Sequence, residues 1–145
     1  MIVIDASIAI KWFISEEHRP EARQILMLEE QLTAPDLIVT ELANIAWKKS
    51  MREEIDAAQA RLIIPAVHQY IPAMHRSLDL VERALDIALD LRHPIYDCIY
   101  LACAERVGGT LITADRRLTR SLENTAYAPL VRFVADVEIP PDLQP

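Results

Sequence analysis

Residues 1–13, MIVIDASIAIKWF, decide the fold. Residues 1–4 are apolar without alternation, the pattern of a strand buried on both faces, as in a parallel sheet. The run stops at Asp5, and residues 7–15 take up an amphipathic helical pattern with Ser7 placed to cap it. An acid delivered to the carboxyl end of a buried strand, with a helix following at once, begins a unit of strand, crossover helix and parallel strand.

Moving outward, the alternation continues. Residues 20–31 read as a helix with Pro20 near its start, and residues 32–35 as a short strand. Residues 36–52 read as a long helix with Asp36 as its cap. Residues 56–70 begin as a helix that Pro65 bends or ends, and residues 71–77 hold a short strand. Residues 78–91 carry a clear helical period. After a break at 92–96, residues 97–107 form an almost wholly apolar helix that Gly108 and Gly109 close. Residues 110–113 are a second buried strand, 114–124 a helix and 131–137 a last strand. This order predicts an α/β fold with a mainly parallel sheet. One domain spans residues 1–137, and residues 138–145 form a Pro-rich loose tail.

Composition narrows the function. With 145 residues, 52% of them hydrophobic, the chain holds a single core. The net charge of −7 argues against binding nucleic acid by broad phosphate neutralisation. It leaves a nuclease open, because bound divalent cations reverse the field locally. Cys98 and Cys103 lie on different sides of a helix and read as reduced core residues, which points to the cytoplasm. Residues 1–13 do not read as a signal peptide, since Asp5 and Lys11 break the apolar run. No stretch is long and apolar enough to span a membrane. The only glycines are the cap pair, so there is no Gly-rich phosphate loop. The histidines His18, His68, His75 and His93 show no ligand spacing and read as surface or packing residues, although His93 lies one turn from Asp97.

Four acids carry the chemistry. Asp5 follows the first strand, and a turn or cap role explains it equally well. Ser7 offers a hydroxyl beside it. Glu41 falls inside the apolar arc of Leu37, Ile38, Leu42 and Ile45, where an unpaired charge is costly. It needs a cation, a set of donors, a protonated state or a basic partner from elsewhere. Asn44, one turn on, is either a neighbour of that acid or an ordinary surface residue. Asp97 opens the apolar helix, again a capping position. Asp115 follows the strand that ends in Thr113, two residues before it, and is also placed to cap. Arg116, Arg117 and Arg120 are a solvated face or a contact for phosphates. Taken jointly, Asp5, Glu41, Asp97 and Asp115 are a set of oxygen ligands for Mg²⁺ or Mn²⁺. Such ions activate water and neutralise charge developing on a phosphodiester.

The segments VIDASI, APDLIVTELANIAW and PIYDCIYLACAERVGGTLITADRRL together resemble the PIN domain family, in particular its VapC-like toxin ribonucleases. The resemblance runs from Met1 to about Val137. It implies a three-layer α/β/α sandwich and an Mg²⁺- or Mn²⁺-dependent endoribonuclease whose ligands are Asp5, Glu41, Asp97 and Asp115. Ser7, Asn44 and Thr113 match polar positions beside the metals, and Arg116 and Arg117 are candidate RNA contacts. The resemblance further implies a homodimer and a cognate antitoxin whose basic or hydrophobic segment covers the acidic groove. Other readings are weaker. A receiver domain wants adjacent acids after the first strand and a late Lys, but none follows Lys49. A phosphatase of the haloacid-dehalogenase type wants an Asp where Ser7 stands. A non-catalytic PIN-like module that only binds RNA or protein would more often lack one of the acids.

Overall fold

The computed structural model describes residues 1–141. Its five described strands form one sheet in the order β3-β2-β1-β4-β5, and every pairing is parallel. They are β1 (Ile2–Ile4), β2 (Leu32–Pro35), β3 (Met74–His75), β4 (Thr110–Thr113) and β5 (Val131–Phe133). The described helices are α1 (Ala6–Phe13), α2 (Arg19–Ile25), α3 (Leu37–Met51), α4 (Ala57–Tyr70), α5 (Val81–Leu91), α6 (Ile95–Val107) and α7 (Arg116–Leu122). The first two crossovers move the chain from β1 towards β3, and the third returns it to β4. Right-handed connections therefore put α5 and α6 on the opposite face from α1 to α4, giving the three layers. Strands β1 and β4 are buried almost throughout, which explains the unbroken apolar run of β1 and the Leu111–Ile112 pair of β4.

Several expectations need correction. Ser7 does not cap α1: Asp5 does, accepting from the Ile8 amide at 3.1 Å. Asp36 occupies the cap position of α3 but makes no capping bond. Its carboxylate instead accepts from the amide and hydroxyl of Ser77, tying α3 to the segment after β3. Helix α4 runs through Pro65, held at its start by a reciprocal capping box between Asp56 and Gln59. Helix α6 begins at Ile95, so Asp97 lies inside its first turn and does not open it. The second helix stops at Ile25, well short of residue 31. The last strand ends at Phe133 and continues as a 3₁₀ turn over Val134–Asp136.

The two glycines do different work. Gly108 takes the left-handed conformation that ends α6 (φ 60°). At Gly109 a Cβ would lie 2.4 Å from the Met1 carbonyl oxygen, so only glycine lets β4 start alongside β1. Residues 138–140 carry no regular structure, and the rest of the expected tail, residues 142–145, lies outside the described residues. No described helix is long and apolar enough to cross a membrane.

Candidate active site

The strand order reverses direction between β1 and β4, and open parallel sheets bind ligands at such a switch point, beyond the carboxyl ends of the strands. Asp5 follows β1 there and Asp115 follows β4. Helix α3 leaves β2 from that end, so Glu41 is in its early turns near the same edge. Helix α6 descends towards β4, so its first turn, with Asp97, also lies at the carboxyl end. Topology alone therefore sends the four acids to one edge of the sheet.

Asp5 and its neighbours form a hydrogen-bonded chain between the two central strands. Ile4 pairs with Ile112, which sets the next residue, Asp5, beside Thr113. The Ser7 hydroxyl donates to Asp5 Oδ1 at 2.6 Å and accepts from the Ala114 amide at 2.9 Å. Its Oγ lies 3.4 Å from the hydroxyl of buried Thr113, which accepts from the Asp115 amide at 3.0 Å. Asp115 is exposed and caps α7, accepting from the amides of Arg117 and Leu118 at 2.9 and 3.1 Å.

Burial pushes the Asp5 carboxyl up from 3.8 to about 6, against the hydroxyls of Ser7 and Thr113 and the Ile8 amide, while Asp97 pushes it further up. Glu41 is half-buried, as its place in the apolar arc requires. Burial raises its pKa, the Tyr100 hydroxyl opposes this, and the charges of Asp5 and Asp97 add to the rise. Tyr100 donates to Glu41 Oε1 at 2.6 Å. Its own phenol is pushed well above the usual range by burial and by the Glu41 charge. The Asp97 carboxylate meets His93 Nε2 at 2.6 Å. Arg92, left-handed at the end of α5 (φ 52°), turns the chain so that His93 can make that contact.

Three of the four acids thus share one field; Asp115 is tied to it only by its main-chain amide, which donates to Thr113, while its carboxylate caps α7. No Lys or Arg side chain bonds to any of them among the described residues. Carboxylate oxygens that lack a Lys or Arg partner suit a hard divalent cation. The cage is not drawn tight: among the described residues, no three His, Cys, Asp or Glu side chains gather as a ready metal site. Asn44 is exposed on α3. Arg116 has its guanidinium 3.4 Å from the Phe133 ring centroid and 3.0 Å from Asp136. Arg117 is exposed and has no side-chain hydrogen bond or ion pair among the described residues.

Two neighbours of the acids escaped the sequence reading in whole or in part. Tyr100 was visible as a phenol in an apolar helix, where its hydroxyl must find a partner. His93 was visible only as a spacing. A third feature is the stripe Glu41, Ile45, Lys48 and Arg52, which follows one face of α3 at helical spacing.

This is a parallel α/β protein with an acidic, oxygen-donor site at its topological switch point. Residues 2–121 match the family model described as PIN domain, and the chain belongs to that family. It is similar to ribonuclease VapC3 of Pyrobaculum aerophilum, at 29% identity over 81% of this chain and 91% of the relative. It is 32% identical to ribonuclease VapC9 of Mycobacterium tuberculosis, over 82% and 89% of the two chains. A crystal structure of a protein from Pyrobaculum aerophilum shares the fold with a TM-score of 0.69 at 22% identity, covering 92% of this chain and 83% of that one. A chain of a toxin–antitoxin complex from Klebsiella pneumoniae does so with a TM-score of 0.64 at 18% identity, covering 94% and 100%.

Proposed function

We propose that this protein is a divalent-metal-dependent endoribonuclease, the toxin of a toxin–antitoxin pair, acting in the cytoplasm through a single domain of residues 1–137. The observation that carries the reading is the meeting of Asp5, Glu41 and Asp97 in one field with no Lys or Arg partner among the described residues, in a PIN-domain chain. The relatives named ribonucleases are matched over about nine-tenths of their length, which supports carrying the activity across.

Asp5, Glu41, Asp97 and Asp115 would hold Mg²⁺ or Mn²⁺. When bound, such an ion supplies Lewis acidity, lowering the pKa of water and offsetting charge on the phosphate. The chain's own residues do the orienting. Ser7 and Thr113 fix Asp5 between β1 and β4, Tyr100 fixes Glu41, and His93 fixes Asp97. Asn44 stands exposed on the same helix as Glu41, available to a substrate. Partial burial of Asp5 limits how far bulk water solvates its charge, which strengthens its attraction for a cation.

Two partner readings have support in the surface. An apolar pocket of about 350 Å³, lined by Trp12, Phe13, Ile55 and Leu62 among others, offers a seat for an apolar antitoxin segment. Val81, Leu85 and Leu89 are exposed at four-residue spacing along α5, with Leu78 and Tyr96 exposed nearby, which suits a homodimer contact.

Purified protein incubated with total RNA tests the activity. Cleavage should require Mg²⁺ or Mn²⁺, stop with chelator, and vanish in Asp5→Asn. Equal cleavage by Asp5→Asn would refute the reading.

A further inference from the structure

A groove of about 660 Å³ opens beside the acids, and its lining includes Ser7 and Asp115 from the site itself. Its other walls concentrate positive charge in a chain of net charge −7: Lys11, Lys48, Lys49, Arg52, Arg116 and Arg117 all line it. These cations are not equivalent. Lys11 and Lys49 both bind Glu16, at 3.0 and 2.6 Å, and are neutralised. Arg116 is engaged by Asp136 and Phe133. Lys48 and Arg117 have no side-chain hydrogen bond or ion pair among the described residues. Arg52 is 71% exposed and has only a 4.0 Å approach to Glu54.

The available cations are also ordered. Lys48 and Arg52 follow Glu41 on one face of α3, roughly 10 and 16 Å further along the helix axis. Arg117 faces the groove from the first turn of α7, two residues after Asp115. A strand whose phosphate sits at the acids must leave the site along some wall, and this wall has unpaired positive charge beginning at the site and continuing away from it. An acidic peptide gains nothing from the edge where the groove meets the carboxylates.

Resting on the ribonuclease reading above, we propose that this groove is the track for the RNA backbone. In it Lys48, Arg52 and Arg117 hold the phosphates flanking the one that is cut. They bind the substrate directly, whereas Arg116 is held by Asp136 and Phe133.

The test uses the full chain carrying Asp5→Asn, so that RNA stays intact, with a fluorescein-labelled oligouridylate followed by anisotropy. On single strands each phosphate contact contributes about 0.7 to the slope of log K against log salt, so Lys48→Gln or Arg117→Gln should each lower the slope by about 0.7 and weaken binding about fivefold near 0.1 M salt. Lys48→Arg should restore it. With Asp5 intact, the same substitutions should raise KM for RNA cleavage and leave kcat unchanged. Wild-type affinity and slope in the Lys48→Gln/Arg117→Gln double variant would overturn the track while leaving the nuclease reading standing. A chain with Asp5 intact that cuts no RNA, combined with lost affinity in the double variant, would refute the nuclease reading and keep the track. Displacement of the RNA by polyglutamate at equal charge concentration would assign the groove to acidic protein and overturn the proposal.

Discussion

Replacing Asp5 by Asn should make the metal-free protein more stable, and the gain should depend on pH. The folded carboxyl titrates near 6 and the unfolded one at 3.8. Between those values the native state holds a proton that the unfolded state has released. Stability contributed by this group is therefore complete below about 3.8 and lost as pH rises through about 6. Two pH units at 1.36 kcal/mol each give about 3 kcal/mol, and screening by water at the half-buried carboxyl brings the expectation to about 2 kcal/mol. Asn keeps what holds the local structure together. Its Oδ1 accepts from the Ile8 amide and the Ser7 hydroxyl as Asp does, and Asn caps helices as well as Asp. Only the charge is lost.

Thermal unfolding in chelator, followed by circular dichroism across pH, measures this. At pH 8 Asp5→Asn should melt roughly 4–8 °C above wild type. Near pH 4 the two curves should converge. Adding Mg²⁺ to ten times its dissociation constant should then stabilise wild type by about 1.4 kcal/mol and the variant by less. A wild type as stable as Asp5→Asn at pH 8 without metal would refute the reasoning that burial, aided by the Asp97 charge, disfavours the Asp5 carboxylate. So would a stability difference that ignores pH.

Other perturbations follow from the same contacts. Asp115→Ala should cost about 1 kcal/mol by uncapping α7, whereas Asp115→Asn should melt within a few tenths of wild type yet lose RNA cleavage; full cleavage by the Asn variant would reduce Asp115 to a cap. Tyr100→Phe should cost about 1–2 kcal/mol in urea titrations without metal, because half-buried Glu41 loses its donor. Glu16→Gln should cost about 2 kcal/mol at pH 7, since Lys11, with a side chain 11% exposed, keeps no anionic partner. Burial pushes the Glu16 carboxyl up, but hydrogen bonds from Lys49 and Lys11 win and hold it below the usual 4.5. Its contribution is therefore present above 4.5 and fades as pH falls, so urea midpoints of wild type and Glu16→Gln should approach each other in acid.

What could be read from the chain divides by distance along it. Strands β1 and β4 declare themselves because both faces are buried, and Asp5 and Asp115 follow one and two residues after the strand ends. Glu41 was legible because a helical wheel placed it among apolar neighbours. The partner that satisfies it was not, because Tyr100 lies 59 residues away. Asp36 was misread for the same reason: Ser77, 41 residues on, outcompetes the local capping bond. Ser7 and Asp5 were both plausible caps two residues apart, and the deciding factor was the Ala114 amide, which takes the Ser7 oxygen. Pro65 broke no helix because the capping box at Asp56 and the buried face of Ile63 and Val67 hold α4 on both sides of it.

The Glu16 contacts join the two helices that carry Asp5 and Glu41. Helix α1 starts from Asp5 and carries Lys11, and helix α3 carries Glu41 and Lys49. Burial is the main cause of the raised Glu41 pKa, and the Asp5 charge adds to it, so like charges face each other at the leading ends of the two helices. Glu16, just beyond α1, binds both lysines and so clamps the same two helices further along their length. An opposite-charge triad thus opposes a like-charge pair across one helix–helix contact, and the partial burial of the triad strengthens it relative to a surface pair. The clamp also sorts the basic residues of the groove. Lys11 and Lys49 are committed to structure, which leaves Lys48, one residue away on α3, to face solvent with its charge unspent. A single carboxylate therefore links the two helices and commits Lys11 and Lys49, while Lys48 stays available to a phosphate.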